Sequence, residues 1–430
     1  MRLLLSTLAI FSSAAHAAAL DLPQAINEAL QDSPRIQRNE SERDQAHWKK
    51  IENASGFLPS VSVNAQRLLE KKYALTDITL GGANLSIPQI IPTTTVTLLG
   101  QIPIFDGFAN VNRYRSASAL EDAANQDLDW ARFQLEREVT LLYYKALGAK
   151  VLEGVAQQNI HTLDDHLKDS RLFRKAGVST NYDVLRVEVQ VSEAKYELLN
   201  AVDNSAIAKN ALGESLGKPT EDREIKGILP VLSADLVKNI STPAQEERSD
   251  ILALESRTRG SELASSASAV HLVPKVSLFG QYQYYNNRND EWTHNFRDAY
   301  QVGIQLNWNI FDGMASIARS KQSVETLVQN EKSLTLAQLH AHQDFDLWKR
   351  KFLYFCSVYQ SRVDDIQKTT ESVRLAREGL KAGARTNTDL LDAETELHRA
   401  QAGVVNAQLG AIEALLRLEL ASGKKIHRFY

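Results

Sequence analysis

Cysteine is almost missing from this 430-residue chain: Cys356 stands alone. A lone thiol excludes an internal disulfide framework and a thiolate-held metal cluster. Proline is scarce as well. There are ten, several of them clustered, so long stretches run without a residue that breaks a helix. Neither sign of charge dominates, with 49 Lys and Arg against 53 Asp and Glu and a formal net charge of −4. That balance excludes a strongly basic nucleic-acid binder, and no nucleic-acid partner is expected. No internal stretch approaches the ~20 consecutive apolar residues of a membrane-spanning helix. A mean hydropathy of −0.31 is too polar for a helical membrane protein, while 43% hydrophobic content is adequate for burial.

Arg2 precedes an apolar run from Leu3 to Ala15 and a small-x-small step, Ala15-His16-Ala17. This order reads as a secretory signal peptide over residues 1–17, with the mature chain starting near Ala18. The alternative is a short buried helix. A signal peptide places the chain outside the cytoplasm, in the periplasm or outer membrane. A lipid anchor needs a Cys at the first mature position, and none stands there.

The chain contains itself twice. Ile36 and Leu58-Pro59-Ser60-Val61-Ser62 recur 215 residues later as Ile251 and Val273-Pro274-Lys275-Val276-Ser277. Ile104-Phe105-Asp106-Gly107 recurs 206 residues later as Ile310-Phe311-Asp312-Gly313. At that same offset Lys175-Ala176-Gly177 matches Lys381-Ala382-Gly383, Thr180-Asn181 matches Thr386-Asn387, and Gly217-Lys218 matches Gly423-Lys424. The first copy thus carries nine extra residues between Pro59 and Ile104, an insertion that belongs in a loop. Each copy opens with a helix, Pro23 to about Gly56 and about Glu246 to Val270, the first capped by Asp21 with Pro23 in its first turn.

Alternating segments follow. Val61, Val63 and Ala65 alternate with Ser62, Asn64 and Gln66; Val276, Leu278, Tyr282 and Tyr284 with Ser277, Gln281 and Gln283; Tyr300, Val302, Ile304, Leu306 and Trp308 with polar neighbours. A fourth segment, Thr95 to Ile102, alternates more weakly. Period two with one apolar and one polar face is strand geometry. About ten residues suit a tilted membrane strand with a wet lumen behind it, and a two-sheet soluble sandwich is the alternative. Next come two proline-free runs of 69 residues, Phe108 to Ala176 and Met314 to Ala382, each about 100 Å if helical. Heptad rows mark them: Phe345, Phe352, Tyr359, Ile366, Val373 and Leu380 with Ala341, Trp348, Phe355 and Ala376 in the second, and Leu128, Leu135, Leu142, Ala156 and Leu163 in the first. Such rows make helices pack side by side. Gly177 and Gly383 supply left-handed caps, and Thr180 and Thr386 can start returning helices, Asn181 to Leu216 and Asn387 to Ser422.

The chain accordingly divides into a signal peptide (1–17), a first repeat (18–218, with a β-hairpin at 59–103 and a helical hairpin at 108–216), a linker (219–245), a second repeat (246–424, with a β-hairpin at 274–309 and a helical hairpin at 314–422), and a tail (425–430). The linker is irregular enough to form a collar of its own. The fold class is mainly α with membrane β. Four strands cannot close a barrel, since the smallest known have about eight, and open edges are not tolerated in lipid. Strands that span a membrane would therefore be pooled by several chains.

At this point the chain resembles the TolC-like outer-membrane efflux and secretion channels. The resemblance covers essentially the whole mature chain: Leu22-Pro23-Gln24-Ala25 to Ser33-Pro34, the Phe57-Leu58-Pro59 lead into a strand, the repeated Ile-Phe-Asp-Gly exit and the two Gly-x-x-Thr tips. It implies a homotrimer with a twelve-stranded barrel in outer-membrane lipid, a periplasmic helical tunnel and an entrance at the tips. It implies as partners a periplasmic adaptor and an inner-membrane transporter of RND, ABC or MFS type, with no cofactor. In this family's pattern Asp389 and Asp392 correspond to gate aspartates that stack as rings. Three apart, they share a helix face; the plainer reading is Asp residues complementing a helix dipole. The resemblance makes Arg385 and Asp183 a closed-state latch. Leu380 replaces a tyrosine that assists it in some relatives, so the network is thinner. Gly177, Val178, Thr180, Gly383, Ala384 and Thr386 occupy the positions where the family docks its adaptor, and capping is their other role.

No catalytic residue or metal site is expected. His340 and His342 point to different helix faces, and His161 and His166 are poorly spaced for joint ligation. No phosphate loop, nucleophile elbow or zinc-protease helix is present. Glu394, Glu396 and His398 read as surface groups on a long helix, and Cys356, among Phe352, Phe355 and Tyr359, as packed rather than reactive. Two other functions remain in view: a periplasmic adaptor with a long helical hairpin, and an extracytoplasmic enzyme on a helical scaffold.

Overall fold

The computed structural model describes residues 19–70, 75–88, 91–238, 240, 248–286 and 295–429. The expected signal peptide, part of the linker and the terminal Tyr430 lie outside the described residues. The helices are α1 (Leu22–Asp32), α2 (Pro34–Ala54), α3 (Ala109–Lys175), α4 (Asn181–Ser215), α5 (Ser249–Ala269), α6 (Ala315–Lys381) and α7 (Asn387–Ser422). The strands are β1 (Ser60–Arg67), β2 (Leu75–Leu80), β3 (Ala83–Pro88), β4 (Thr94–Phe105), β5 (Lys275–Asn286) and β6 (Arg297–Asn307). Two units divide them. One gathers Gln126–Leu252, Leu336–Tyr430 and the described residues up to Ser41; the other gathers Glu42–Asn125 and Ala253–Thr335.

The second unit holds one antiparallel sheet in the order β1-β4-β5-β6. Its register sets Val63 opposite Leu98, Leu98 opposite Tyr282 and Tyr282 opposite Tyr300. Alternation then gathers Val61, Val63, Val96, Leu98, Leu278, Val302 and Ile304 on one face. The other face carries Ser62, Asn64, Gln101, Gln281, Gln283, Gln301 and Gln305, where Gln101 donates to Ser277 Oγ at 2.9 Å and Gln301 to Gln281 Oε1 at 2.9 Å. The apolar face is largely solvent-exposed in the single chain, and among the described residues β1 and β6 are open edges. Such a face in water is costly (~25 cal/mol per Å²), so a hydrocarbon environment and strands from other chains are its physical complement. β4 and β6 lead into α3 and α6 through a repeated turn. Gly107 and Phe108, then Gly313 and Met314, take φ near +70° (73°, 66°, 67° and 73°). Asp106 and Asp312 cap the new helices by accepting from Asn110 N–H at 2.7 Å and Ser316 N–H at 3.0 Å.

Three sequence expectations are corrected here. The first helix is broken in two at Ser33, which is extended (φ −66°, ψ 122°) because Pro34 disfavours a helical residue before it. Asp21 does cap its start, accepting from Gln24 N–H at 2.9 Å. The inserted connection between β1 and β4 is more than a loop: it contains the β2–β3 hairpin, paired from Leu75–Pro88 to Leu80–Ala83 and turned by Gly81 and Gly82 at positive φ. Chain-wide alternation is hard to see there because the strands have only six residues each. Finally, the linker does not stand apart. Ile225, Leu232 and Val237 are buried in the helical core of the first unit, and residue 20 pairs with Ile225 in a short parallel bridge.

Four long helices build that core, and in α3 and α6 residues of the heptad rows, Leu135, Phe345 and Phe352, take part. Phe345 and Phe352 from α6, Leu135 and Val139 from α3, Leu212 from α4, and Ile412, Leu415 and Leu416 from α7 are buried together. Cys356 is packed among them, its Sγ 3.6 Å from the Leu232 carbonyl, and burial pushes its thiol pKa up. Arg137 pairs with Glu419 and, at 2.6 Å, with Glu136. Glu419 also accepts from the backbone of Ile426 at 2.7 Å and His427 at 2.9 Å, which ties the C-terminal tail to the core. Arg223 joins Glu28 (2.8 Å) and Glu221 (2.7 Å), with Lys218 adding a 2.7 Å bond to Glu28. Hydrogen bonds from Arg223 are the chief reason the Glu28 pKa is drawn down to about 2.

Candidate channel entrance at the hairpin tips

Both helical hairpins reverse through five residues, Ala176 to Thr180 and Ala382 to Thr386. Gly177 and Gly383 have φ of 75° and 72°, the left-handed conformation that ends a helix cheaply only for glycine. Each returning helix starts with a full capping box. The Thr180 hydroxyl accepts from Asp183 N–H at 3.2 Å, and Asp183 Oδ2 accepts from Thr180 N–H at 2.9 Å. Thr386 and Asp389 repeat this at 3.2 and 2.8 Å. Donation from the threonine backbone N–H, then its hydroxyl, holds both carboxyls below their ordinary pKa. Gly177, Val178, Thr180, Gly383, Ala384, Arg385 and Thr386 are all exposed at the turns. Asp392 is exposed one turn beyond Asp389 on α7.

Two of the expected roles meet a different local geometry within one chain. Asp183 Oδ2 is taken up by its own cap and by Ser179, whose hydroxyl donates at 3.0 Å. Among the described residues no ion pair joins it to Arg385, whose aliphatic stem lies against Gly379. Asp389 is a capping residue as well as a candidate ring carboxylate, and Asp392 is exposed on the same helix.

The residue that sequence reasoning missed is His166. With Glu394 it is buried, each side chain 2% exposed, and His166 Nδ1 lies 2.8 Å from Glu394 Oε2. The expectation of a surface Glu394 is therefore corrected: α7 turns this face onto the first hairpin, where Leu391 joins Ile160, Leu163 and Leu167 of α3 and Val184 and Val187 of α4. His398, on the same face, is half-buried with its Nε2 3.3 Å from Glu197; Glu396 is exposed as expected. His166 Nε2 lies 2.7 Å from Asn387 Oδ1, which also accepts from Ser170 at 3.2 Å, and Arg377 donates to Glu394 at 3.0 Å. The duplication held a signal for half of this: Arg171 and Glu188 recur at the 206-residue offset as Arg377 and Glu394. His166 itself has no histidine counterpart, since Ser372 stands there.

A sheet with one lipid-compatible face, one amide-lined face and two open edges, combined with long capped helical hairpins, defines one wall segment of a membrane conduit. No helix among the described residues is long and apolar enough to cross a membrane. The comparison with known proteins agrees. The model of the outer membrane efflux protein family matches residues 25–218 and 241–424, and the chain belongs to that family. It is 21% identical over 413 residues to outer membrane protein TolC of Vibrio cholerae serotype O1, covering 94% of this chain and 90% of that one. It is 22% identical over 428 residues to the alkaline protease secretion protein AprF of Pseudomonas aeruginosa, covering 94% and 85%. The solved outer membrane protein VceC of Vibrio cholerae superposes with a TM-score of 0.78 at 17% identity, over 94% of this chain and 97% of that one. The protein is an outer-membrane channel of the efflux and secretion type, with its helical part in the periplasm. The family is one of channels, and the matches lend nothing to the adaptor alternative.

Proposed function

We propose that three copies of this chain form one closed conduit, gated where the hairpins turn. One contrast carries the reading. On α7, Leu391 and Glu394 are buried against the first hairpin; on α4 their repeat counterparts Leu185 and Glu188 are exposed, in a stripe with Tyr182, Val189, Tyr196 and Leu199. An apolar stripe of this length along a helix calls for a partner helix. If the second hairpin packs on the first within a chain, the same face of the first hairpin is left for the second hairpin of the next copy, and the alternation closes as a ring. Three copies pool twelve strands, which satisfies the open edges of β1 and β6.

In such a ring the N-termini of α7 converge. Asp389 and Asp392 would form two stacked carboxylate rings that attract cations and narrow the entrance. Asp183 of one copy would face Arg385 of the next, so the latch is a contact between chains. The exposed tips, Gly177 to Thr180 and Gly383 to Thr386, suit docking of a periplasmic adaptor that couples the conduit to an inner-membrane transporter. Docking would break the latch and spread the rings. Single-channel recording in planar bilayers tests this. Asp389→Ala with Asp392→Ala is expected to weaken divalent-cation block about tenfold or more, the scale of losing ~1.4 kcal/mol of binding. Arg385→Ser is expected to raise resting conductance. Unchanged block and unchanged conductance would remove the rings and the latch from the gate.

A further inference from the structure

His166 touches all four helices of the two hairpins through a single hydrogen-bonded cluster. It sits on α3; its Nδ1 meets Glu394 of α7 at 2.8 Å and its Nε2 meets Asn387 Oδ1, also of α7, at 2.7 Å. Glu394 is held in turn by Arg377 of α6 at 3.0 Å, and Asn387 Nδ2 donates to the Asp183 carbonyl of α4 at 3.5 Å. The amide orientation follows from this last bond: with Nδ2 on the carbonyl, Oδ1 faces the imidazole and the Ser170 hydroxyl. Both ring nitrogens therefore face acceptors, a carboxylate oxygen and an amide oxygen. Only the imidazolium can donate to both. A neutral ring leaves one lone pair against an oxygen in a buried site, where an unmade bond is expensive.

The charged groups around the ring are few. Glu394 supplies the opposite charge from α7, and Arg377 supplies a like charge from α6, half-exposed and itself paired with Glu394. From α4 the Asp183 carbonyl approaches, its carboxylate being turned into the Thr180 cap, and Arg186 places a second positive charge nearby by donating to Thr388 Oγ1 at 2.9 Å. Burial pulls the His166 pKa down, but the Glu394 carboxylate outweighs it and the balance lies above the ordinary histidine value. Asn387 is the first residue of α7, immediately after the Thr386 cap and two before Asp389. The bonds to Asn387 therefore help to set where the aspartate-bearing end of α7 lies against the first hairpin, alongside the Arg186–Thr388 bond and the buried Leu391.

We propose that His166 is a proton-dependent clasp on the entrance: protonated, it fastens the first turn of α7 to the first hairpin, and on losing its proton it releases that turn. This rests on the reading of the tips as the entrance. The sign follows from linkage. A base whose native pKa is raised contributes its full stabilisation below its unfolded value of about 6.5 and loses it as pH rises through the higher native value. The carboxylates of Asp183 and Asp389 titrate far below this window, since both are held low.

The test uses the full-length channel with spin labels at Val178→Cys and Ala384→Cys, in a Cys356→Ser background, and reads the tip-to-tip distance and the resting conductance from pH 6 to pH 9. The wild-type cluster is expected to hold one narrow distance at the acid end and a broadened, longer one at the alkaline end, with conductance rising at least ~3-fold. His166→Gln should show no alkaline step in either reading. Glu394→Gln, which keeps the shape and removes the charge, should move the step to lower pH by about one unit or more. Tip distances that follow the same pH profile with and without His166 would overturn the clasp. A distance step with flat conductance would uphold the clasp and overturn the reading of the tips as the entrance.

Discussion

The two helical hairpins repeat one local code and put it to different use. Both carry an Arg and a Glu seventeen residues apart across the turn. Arg171 meets Glu188 at 2.7 Å in the first, and Arg377 meets Glu394 at 3.0 Å in the second. Glu188 is 38% exposed and Glu394 only 2%. Solvated, the pair is worth little; with its carboxylate buried against His166, it becomes costly to break. The same divergence holds for the apolar positions, Leu185 being 51% exposed and Leu391 3%. Duplication therefore copied the turn and the cap, while the neighbour each face meets decides whether a residue is structural, idle or available to another chain.

The sharpest way to break this comparison is to truncate the two acids in turn. Glu394→Ala leaves His166 and Arg377 without their shared carboxylate and is expected to cost about 3–5 kcal/mol, read as a loss of denaturation midpoint. Glu188→Ala should stay within ~0.5 kcal/mol. Equal losses would erase the distinction between the hairpins.

A second effect lies outside both hairpins and has the opposite pH sign. Glu28 titrates at about 2 in the folded chain because of Arg223. A carboxyl with a lowered pKa stabilises above its unfolded value of about 4.3 and loses that contribution as pH falls toward 2. This amounts to roughly 2 kcal/mol once solvent screening is allowed for. Arg223→Ala should therefore flatten the acid limb of the stability profile between about pH 4.5 and pH 2 and leave the alkaline limb to His166. A steep acid limb in that variant would assign acid unfolding to other carboxylates. The smallest effect should be shared. Asp183→Ala and Asp389→Ala each remove half of a capping box and should cost about 1 kcal/mol apiece, measured by thermal unfolding. A cost confined to one tip would show that the caps are not equivalent.

How much of this could be read from the residues varies by element. The tips were legible because Gly177 and Gly383 need positive φ and Thr180 and Thr386 need a partner three residues on, both local demands. The strand faces were legible because each is half apolar over ten or so residues. The β2–β3 hairpin was not, since six-residue strands inside an insertion leave little periodicity. The break at Ser33 could have been foreseen from Pro34 alone. Of the entrance, the roles of Asp389, Asp392, Asp183 and Arg385 came from a resemblance, and the pairing proposed for them between chains lies beyond a single chain's geometry. The His166 cluster was illegible because its members are 228 residues apart in sequence at the widest pair, and nothing local distinguishes a buried histidine from a solvated one.

The central claim is that the exposed face of α4 is covered by the second hairpin of the next copy. Within the chain His166 meets Glu394; at the repeat offset the matching pair is Ser372 and Glu188. The direct measurement is oxidative cross-linking of the double variant Glu188→Cys with Ser372→Cys in native membranes, in a Cys356→Ser background, followed by non-reducing electrophoresis. Covalent dimers and trimers that vanish on reduction are the predicted result. A chain that stays monomeric under full oxidation, with its two thiols joined to each other or not at all, would contradict the ring.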